Sequence, residues 1–208
     1  MVLPSIPETA AASRPLILGS TSRYRRQLLE RLRLPFAVVR PDVDETPLNG
    51  EAPRELALRL ALEKARDVAR AHPDAVVIGS DQVADLHGEP LGKPGTHERA
   101  RAQLQRMRGQ TVVFQTAVAV VCVATGFEAV ELAPVRVQFL DAAQGLTDEA
   151  IERYLNAEQP YDCAGSAKSE GLGIALLAAI DSNDPTALIG LPLIRTCRLI
   201  RAAGVALL

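Results

Sequence analysis

The sequence predicts an α/β fold built on a mixed, largely antiparallel twisted sheet flanked by helices. Three observations carry this. Short apolar runs alternate with helical segments through the first half of the chain, as strands and their covering helices do. Thr111 to Ala124 and Phe127 to Leu140 are long β-rich runs joined at Thr125-Gly126, which predicts a large antiparallel hairpin. The chain has 208 residues, 48% of them apolar, enough for one sizeable core.

The elements follow in order. Leu16-Ile17-Leu18 reads as a buried strand. Gly19-Ser20-Thr21-Ser22 is a small-residue loop, and Arg23-Tyr24-Arg25-Arg26 opens a helix that continues to Leu32. Phe36 to Val39 is a second strand, and Pro41 to Pro53 is a loop rich in acids and prolines. Pro53 suits a first helical position, and the helix runs to about Ala71. Ala75 to Ile78 is a third strand. Gln82 to Leu91 reads as a hairpin turning near His87-Gly88. Thr96 and Thr147 are N-cap residues for helices reaching about Gly109 and Asn156. A polar loop leads to Leu172–Ile180, read as a buried strand, and the last helix spans about Leu193 to Ala203. No internal repeat divides the chain, so residues 15–208 are expected to form a single domain. Residues 1–14, with three successive alanines and two prolines, are expected to form a flexible tail.

Composition narrows the function. The formal charge is −2 and aromatic residues make up 3%, with no tryptophan, which argues against a nucleic-acid partner. Cys122, Cys163 and Cys197 are far apart and form no C-x-x-C pair, as expected in a reducing compartment. His72, His87 and His97 lack zinc spacing. No apolar run has membrane-spanning length, and the N-terminus lacks the basic start and apolar core of a secretion signal. A soluble cytoplasmic protein is expected.

The chemistry-bearing residues are grouped. Cations at a helix start oppose the helix dipole, so the arginines after Ser22 call for an anion such as a phosphate. Asp81 follows the apolar run Val76-Val77-Ile78-Gly79-Ser80, a strand end where a carboxylate can act as a base, bind a metal or merely cap a turn. Asp42-Val43-Asp44-Glu45 offers hard oxygen ligands. In extended backbone Asp42 and Asp44 share one side and Glu45 takes the other. Lys64 falls within the apolar arc of its helix, in a row with Leu56, Leu60 and Val68, and must either snorkel to water or meet an anion. Gly92 and Pro94 bracket Lys93 and can aim its ammonium. Asp162 to Gly173 is rich in small residues, with Glu170 beside the run that follows. The chain has neither a P-loop, a dinucleotide G-x-G-x-x-G nor a serine elbow.

In this order the pieces resemble the Maf family of nucleoside triphosphate pyrophosphatases. The family's S-x-S-P-x-R-R motif reads Ser20-Thr21-Ser22-Arg23-Tyr24-Arg25-Arg26, with Arg23 in place of the usual proline. Asp42-Val43-Asp44-Glu45, Leu62-Glu63-Lys64-Ala65, Gly79-Ser80-Asp81-Gln82-Val83, Leu91-Gly92-Lys93-Pro94 and Leu188-Ile189-Gly190-Leu191-Pro192-Leu193 match five further motifs. The resemblance implies a nucleotide cleft of the Maf and ITPase kind and hydrolysis between the α and β phosphates. It also implies a divalent cation, Mg²⁺ or Mn²⁺, and a homodimer. By position, Asp81 is then the proton acceptor, and Glu45 holds the metal together with Asp81. Ser20, Arg25, Lys64 and Lys93 grip the phosphates, with Arg26 as a helper.

Three positions bear on the base: Tyr24, Gln82 and Glu170. They resemble the subgroup that hydrolyses 7-methyl-GTP, which has an aromatic residue, glutamine and glutamate there, rather than the dTTP and UTP subgroup with arginine, threonine and glutamine. A carboxylate can accept both the N1–H and the 2-amino group of guanine. Methylation at N7 makes the base cationic, which suits an aromatic face. A dTTP/UTP pyrophosphatase of the same family, or a nucleotide-binding cell-division regulator without catalysis, are the alternatives.

Overall fold

The computed structural model describes residues 14–207. The expected tail therefore lies, apart from Arg14, outside the described residues. Seven strands form one sheet: β1 (Leu16–Gly19), β2 (Ala37–Val39), β3 (Val76–Leu86), β4 (Glu89–Leu91), β5 (Thr111–Cys122), β6 (Phe127–Phe139) and β7 (Leu177–Asp181). The order is β2-β1-β3-β5-β6-β7, with β4 paired to β3. The β1–β2 and β1–β3 pairs are parallel and all others antiparallel. Among the described residues, the sheet is flanked by five α-helices: α1 (Arg23–Glu30), α2 (Pro53–Ala71), α3 (His97–Met107), α4 (Asp148–Glu158) and α5 (Leu193–Ala202). The mixed, largely antiparallel class is the one the sequence predicts.

Strand alternation sorts the helices onto two faces. Val76, Ile78, Val118 and Val120 point to α1 and α5, where they meet Leu28, Leu29, Leu199 and Ile200. Farther along the same face Phe114, Val135 and Val137 pack on Leu104, Met107, Ile151 and Leu155 of α3 and α4. The opposite residues, Val77, Ala117 and Ala119, pack on α2. Helix α2 approaches the sheet closely because Ala57, Ala61, Ala65 and Ala69 form a fully buried small-residue row. Gly79 completes the contact. A Cβ there would lie 2.3 Å from the Ala61 carbonyl oxygen and 2.6 Å from the Ala65 nitrogen.

Local signals hold well. Thr96 and Thr147 cap α3 and α4 by accepting from Arg99 N and Ala150 N. His87 and Gly88 both take positive φ, at 57° and 87°, in the turn between β3 and β4. Two expectations need correction. The segments read as a strand at 75–78 and a hairpin from 82 are one strand, because Gly79, Ser80 and Asp81 stay paired to Ala119, Val118 and Ala117 of β5. Asp81 thus lies inside a strand rather than at its end. Leu172–Ile180 is not a buried strand: Leu172–Leu176 is a 3₁₀ turn, and β7 is a largely exposed edge strand. Gly173 packs so tightly on the Lys168 backbone that a Cβ would sit 2.5 Å from its carbonyl oxygen, which holds this segment in a turn. No helix among the described residues is long and apolar enough to cross a membrane.

The α2–β3 contact yields a prediction. Gly79→Ala should destabilise the protein by about 1–3 kcal/mol, since neither backbone can yield cheaply. A urea midpoint equal to that of the parent protein would contradict the close approach.

Candidate active site

Topology creates the cleft. Strand β1 stops at Gly19, opposite Gly79, and β4 joins β3 only at Ala84. Between these points the outer edge of β3 has no partner strand. A cleft of about 1040 Å³ opens there, reached by the loop after β1, the acidic loop, α2, Lys93 and the 162–170 and 188–190 segments.

Helix α1 points its N-terminus at this cleft. Ser22 caps it, accepting from Arg25 N at 3.4 Å, and Ser22 N donates to Ser20 Oγ at 3.2 Å. The Arg25 side chain turns inward, with Nε donating to the Gly190 carbonyl at 2.9 Å and Nη1 lying 3.5 Å from Ser20 Oγ. Burial lowers the pKa of this guanidinium, while the charges of Asp81 and Glu45 act in the opposite direction.

Lys64 is the centre of the site. It is 5% exposed, so it does not snorkel. Its ammonium lies 2.7 Å from Asp81 Oδ1 and 2.6 Å from Glu45 Oε1. Asp81 is buried, from the α2-facing side of β3. Burial of the Glu45 carboxyl opposes its ionisation. The hydrogen bond from Lys64 and the charges of Lys64, Lys93 and Arg25 outweigh that and hold its pKa below the usual carboxylate range. Lys93 is exposed and lines the same cleft.

The acidic loop separates as its alternation requires. Asp44 turns back to accept from its own Thr46 N at 2.9 Å, while Glu45 points inward. Arg59 of α2 anchors this loop with Nε 2.6 Å and Nη2 2.7 Å from the two Glu51 oxygens, and with a bond to the Thr46 carbonyl. Hydrogen bonding from Arg59 dominates Glu51 and pulls its pKa from 4.5 to about 2.

At the other end lie Tyr24 and Glu170. Burial pushes the Tyr24 hydroxyl up to about 12. Arg23 lies over its ring at 4.7 Å and donates to its hydroxyl at 2.6 Å, and Asp162 is 3.6 Å from Arg23. Burial also raises Glu170, helped by the nearby Glu158 and Asp162 carboxylates and opposed by Lys168. Glu158 of α4 fixes this segment, pairing with Lys168 and accepting from Leu172 N at 2.9 Å. Gln82 faces the cleft but gives its amide protons to protein acceptors: Thr116 Oγ1 and the carbonyls of Ala187 and Leu188.

The structure thus brings together Ser20, Tyr24, Arg25, Glu45, Lys64, Asp81, Gln82, Lys93 and Glu170 around one cleft. It does not bring Arg26, whose guanidinium pairs with Glu30 at 2.9 Å one turn along α1 and lines a different surface hollow beside Leu34 and Phe36. In a helix whose third residue faces the cleft, the fourth is rotated away by about 100°. Sequence reasoning missed Ser80, Thr116 and the Gly190 carbonyl, which support Arg25 and Gln82 from behind. Among the described residues, no group of three or more His, Cys, Asp or Glu could hold a metal ion. Glu45 and Asp81 are nonetheless gathered at one cation, Lys64, and two carboxylates suffice for a Mg²⁺-type ion that takes its other ligands from phosphate and water.

The family model described as Maf-like protein matches residues 15–203. A protein of Polaromonas sp. named 7-methyl-GTP pyrophosphatase is 75% identical over 94% of this chain and 87% of its own. Proteins with the same name from Albidiferax ferrireducens and Bordetella pertussis are 66% and 54% identical, over 94% and 97% of this chain and 96% of each relative.

The Arg59–Glu51 anchor gives a pH prediction. A carboxyl whose folded pKa lies below its unfolded value adds stability above the unfolded value and loses it as pH falls through the folded one. The Glu51 contribution should be full above 4.5 and vanish toward about 2. Glu51→Gln should therefore lower the urea midpoint at neutral pH, and its gap from the parent protein should close on acidification through this window. A gap independent of pH would contradict the anchor.

Proposed function

The chain belongs to the family of Maf-like proteins, and from that premise we propose that it hydrolyses the α–β phosphoanhydride bond of a nucleoside triphosphate, preferring 7-methyl-GTP. The observation that carries this reading is the buried Lys64 ammonium between Asp81 and Glu45, in one cleft with Arg25 and Lys93. A triphosphate carries dense negative charge, and its hydrolysis calls mainly for positioning and charge neutralisation. Arg25, Lys64 and Lys93 supply fixed and mobile cations, and Ser20 and the α1 N-terminus supply hydrogen-bond donors.

Asp81 uses one carboxylate oxygen on Lys64, and in the proposed reaction this carboxylate takes the proton of the attacking water. The water oxygen bonds to phosphorus as the bridging P–O bond breaks, and the products are a nucleoside monophosphate and pyrophosphate. A divalent cation, held by Glu45 and Asp81, would add further neutralisation of the phosphate charge. Nucleotide entry recruits the Lys64 ammonium toward phosphate, since a polyanion competes with both carboxylates for it.

The base end supports the substrate. A carboxylate at Glu170 accepts the paired donors of guanine, which uracil and thymine lack. Tyr24 already lies against one cation, Arg23, and its ring can bind a cationic base in the same manner, worth about 0.5–2 kcal/mol. The positive charge of the N7-methylated base also complements Glu170, whose neighbours Glu158 and Asp162 already pair with Lys168 and Arg23.

Two outcomes follow. Pyrophosphate release should show a higher kcat/KM for 7-methyl-GTP than for GTP, UTP or dTTP, and equal or better use of UTP or dTTP would overturn the base assignment. Asp81→Asn should retain nucleotide binding in calorimetry yet lose about 100-fold or more in turnover. Unimpaired turnover in that variant would remove Asp81 from its role.

A further inference from the structure

Lys93 projects from a loop between β4 and α3, yet the residues on either side of Lys93-Pro94 are tied down. Gly95 N donates to the Tyr161 carbonyl at 3.0 Å. The Gly92 carbonyl accepts from Nε2 of Gln103, on α3, at 3.0 Å. A carbonyl only accepts, so this contact fixes the Gln103 amide with its oxygen facing the other way. There Oε1 accepts from Ser166 Oγ at 2.6 Å. Ser166 is fully buried and takes a φ of 54°, the left-handed region that a residue with a side chain rarely adopts. Its carbonyl accepts from the Tyr154 hydroxyl at 3.1 Å, and that hydroxyl accepts from Lys168 N at 3.0 Å. The backbone held in this way leads to Glu170. Gln103 stands behind the cleft, which is lined by Gly92 and Lys93 on one side and by Ala164, Ala167 and Glu170 on the other.

We propose that Gln103 is a positioning residue that couples the two ends of the cleft: its one amide fixes the Lys93 loop through Gly92 and the Glu170 segment through Ser166. A planar amide holds a donor and an acceptor at a set separation. It therefore sets the spacing between the loop that carries the ammonium and the segment that carries the carboxylate. Both groups act on one ligand, the first on its phosphates and the second on its base. The spacing then decides whether a nucleotide satisfies both at once. Ser166 fits this purpose. Glycine would adopt its backbone angle at less cost, and what serine offers instead is the hydroxyl that Gln103 accepts from. The inference rests on the pyrophosphatase reading in taking Lys93 to the phosphates and Glu170 to the base.

Three variants separate the two bonds, each checked for folding by circular dichroism. Ser166→Gly removes the hydroxyl and suits the backbone angle, so it breaks the base-side bond alone. Gln103→Glu keeps an acceptor for Ser166 and loses the donor to Gly92. Gln103→Met removes both bonds without adding charge. Binding of inorganic triphosphate is measured by calorimetry, and kcat and KM are measured by pyrophosphate release from 7-methyl-GTP, GTP and UTP. Ser166→Gly should raise KM for the two guanine nucleotides about fivefold, the size of a lost hydrogen bond, and leave kcat, UTP and triphosphate affinity unchanged. Gln103→Glu should weaken triphosphate about fivefold and lower kcat/KM for all three nucleotides by a common factor. Gln103→Met should show both losses. Unchanged triphosphate affinity in the two Gln103 variants, or the same changes in Ser166→Gly as in Gln103→Glu, would overturn the proposal. A parent protein that does not prefer guanine nucleotides contradicts the substrate reading instead, and the triphosphate arm, which needs neither base nor turnover, still decides the role of Gln103.

Discussion

The ammonium of Lys64 is the constraint around which the site is organised. A buried cation is costly unless charged and hydrogen-bonding partners surround it. Here the partners come from two other elements: Asp81 from the middle of β3 and Glu45 from the acidic loop. Helix, strand and loop are therefore tied at one point. The helix reaches that point because its alanine row and Gly79 allow backbone contact between α2 and β3. The loop reaches it because Arg59, which precedes Lys64 on α2, holds Glu51 and the Thr46 carbonyl. In the proposed reaction the polyanion meets a cation that is already desolvated, and its arrival draws the ammonium from the two carboxylates toward phosphate.

The sheet supplies the opening. Two parallel pairings bring β1 and β2 to one end of β3, and the long antiparallel β5–β6 hairpin covers its other side. Because β1 is only four residues long, β3 runs on past it with an open edge. Open α/β sheets bind ligands in the crevice beyond the carboxyl ends of their strands, and here that crevice receives the α1 N-terminus with Arg25. The two faces of β3 then divide the work. Asp81 looks toward α2 and the charged centre, while Ser80 and Gln82 look toward the 187–190 turn.

Much of this was legible in the chain itself. The helical row Leu56, Leu60, Lys64 and Val68 shows the anomaly of Lys64 in the sequence itself, because a lysine in an apolar arc needs an anionic partner or a route to water. The cap residues Thr96 and Thr147 and the His87-Gly88 turn act through contacts within a few residues, so local sequence determined them. What was hidden depends on partners distant in sequence. The apolar run Val76 to Ser80 puts Asp81 at a strand end in sequence, yet pairing with β5 carries the strand on through Asp81 to Asp85. Leu172–Ile180 is apolar enough for a core strand, but its place at the sheet edge is set by the 3₁₀ turn packed on Lys168. Arg26 shared a motif with Arg25, but one helical step turns it to Glu30 and away from the cleft. The carbonyl of Gly190 carries no side-chain signature at all, so only the folded chain shows that it holds Arg25.

The most direct test is a crystal structure with a non-hydrolysable 7-methyl-GTP analogue bound. The triphosphate is expected against Arg25, Lys64 and Lys93, the α–β bridge beside Asp81, and the base between Tyr24 and Glu170. A nucleotide seated elsewhere, with Lys64 still closed on Asp81 and Glu45, would contradict it.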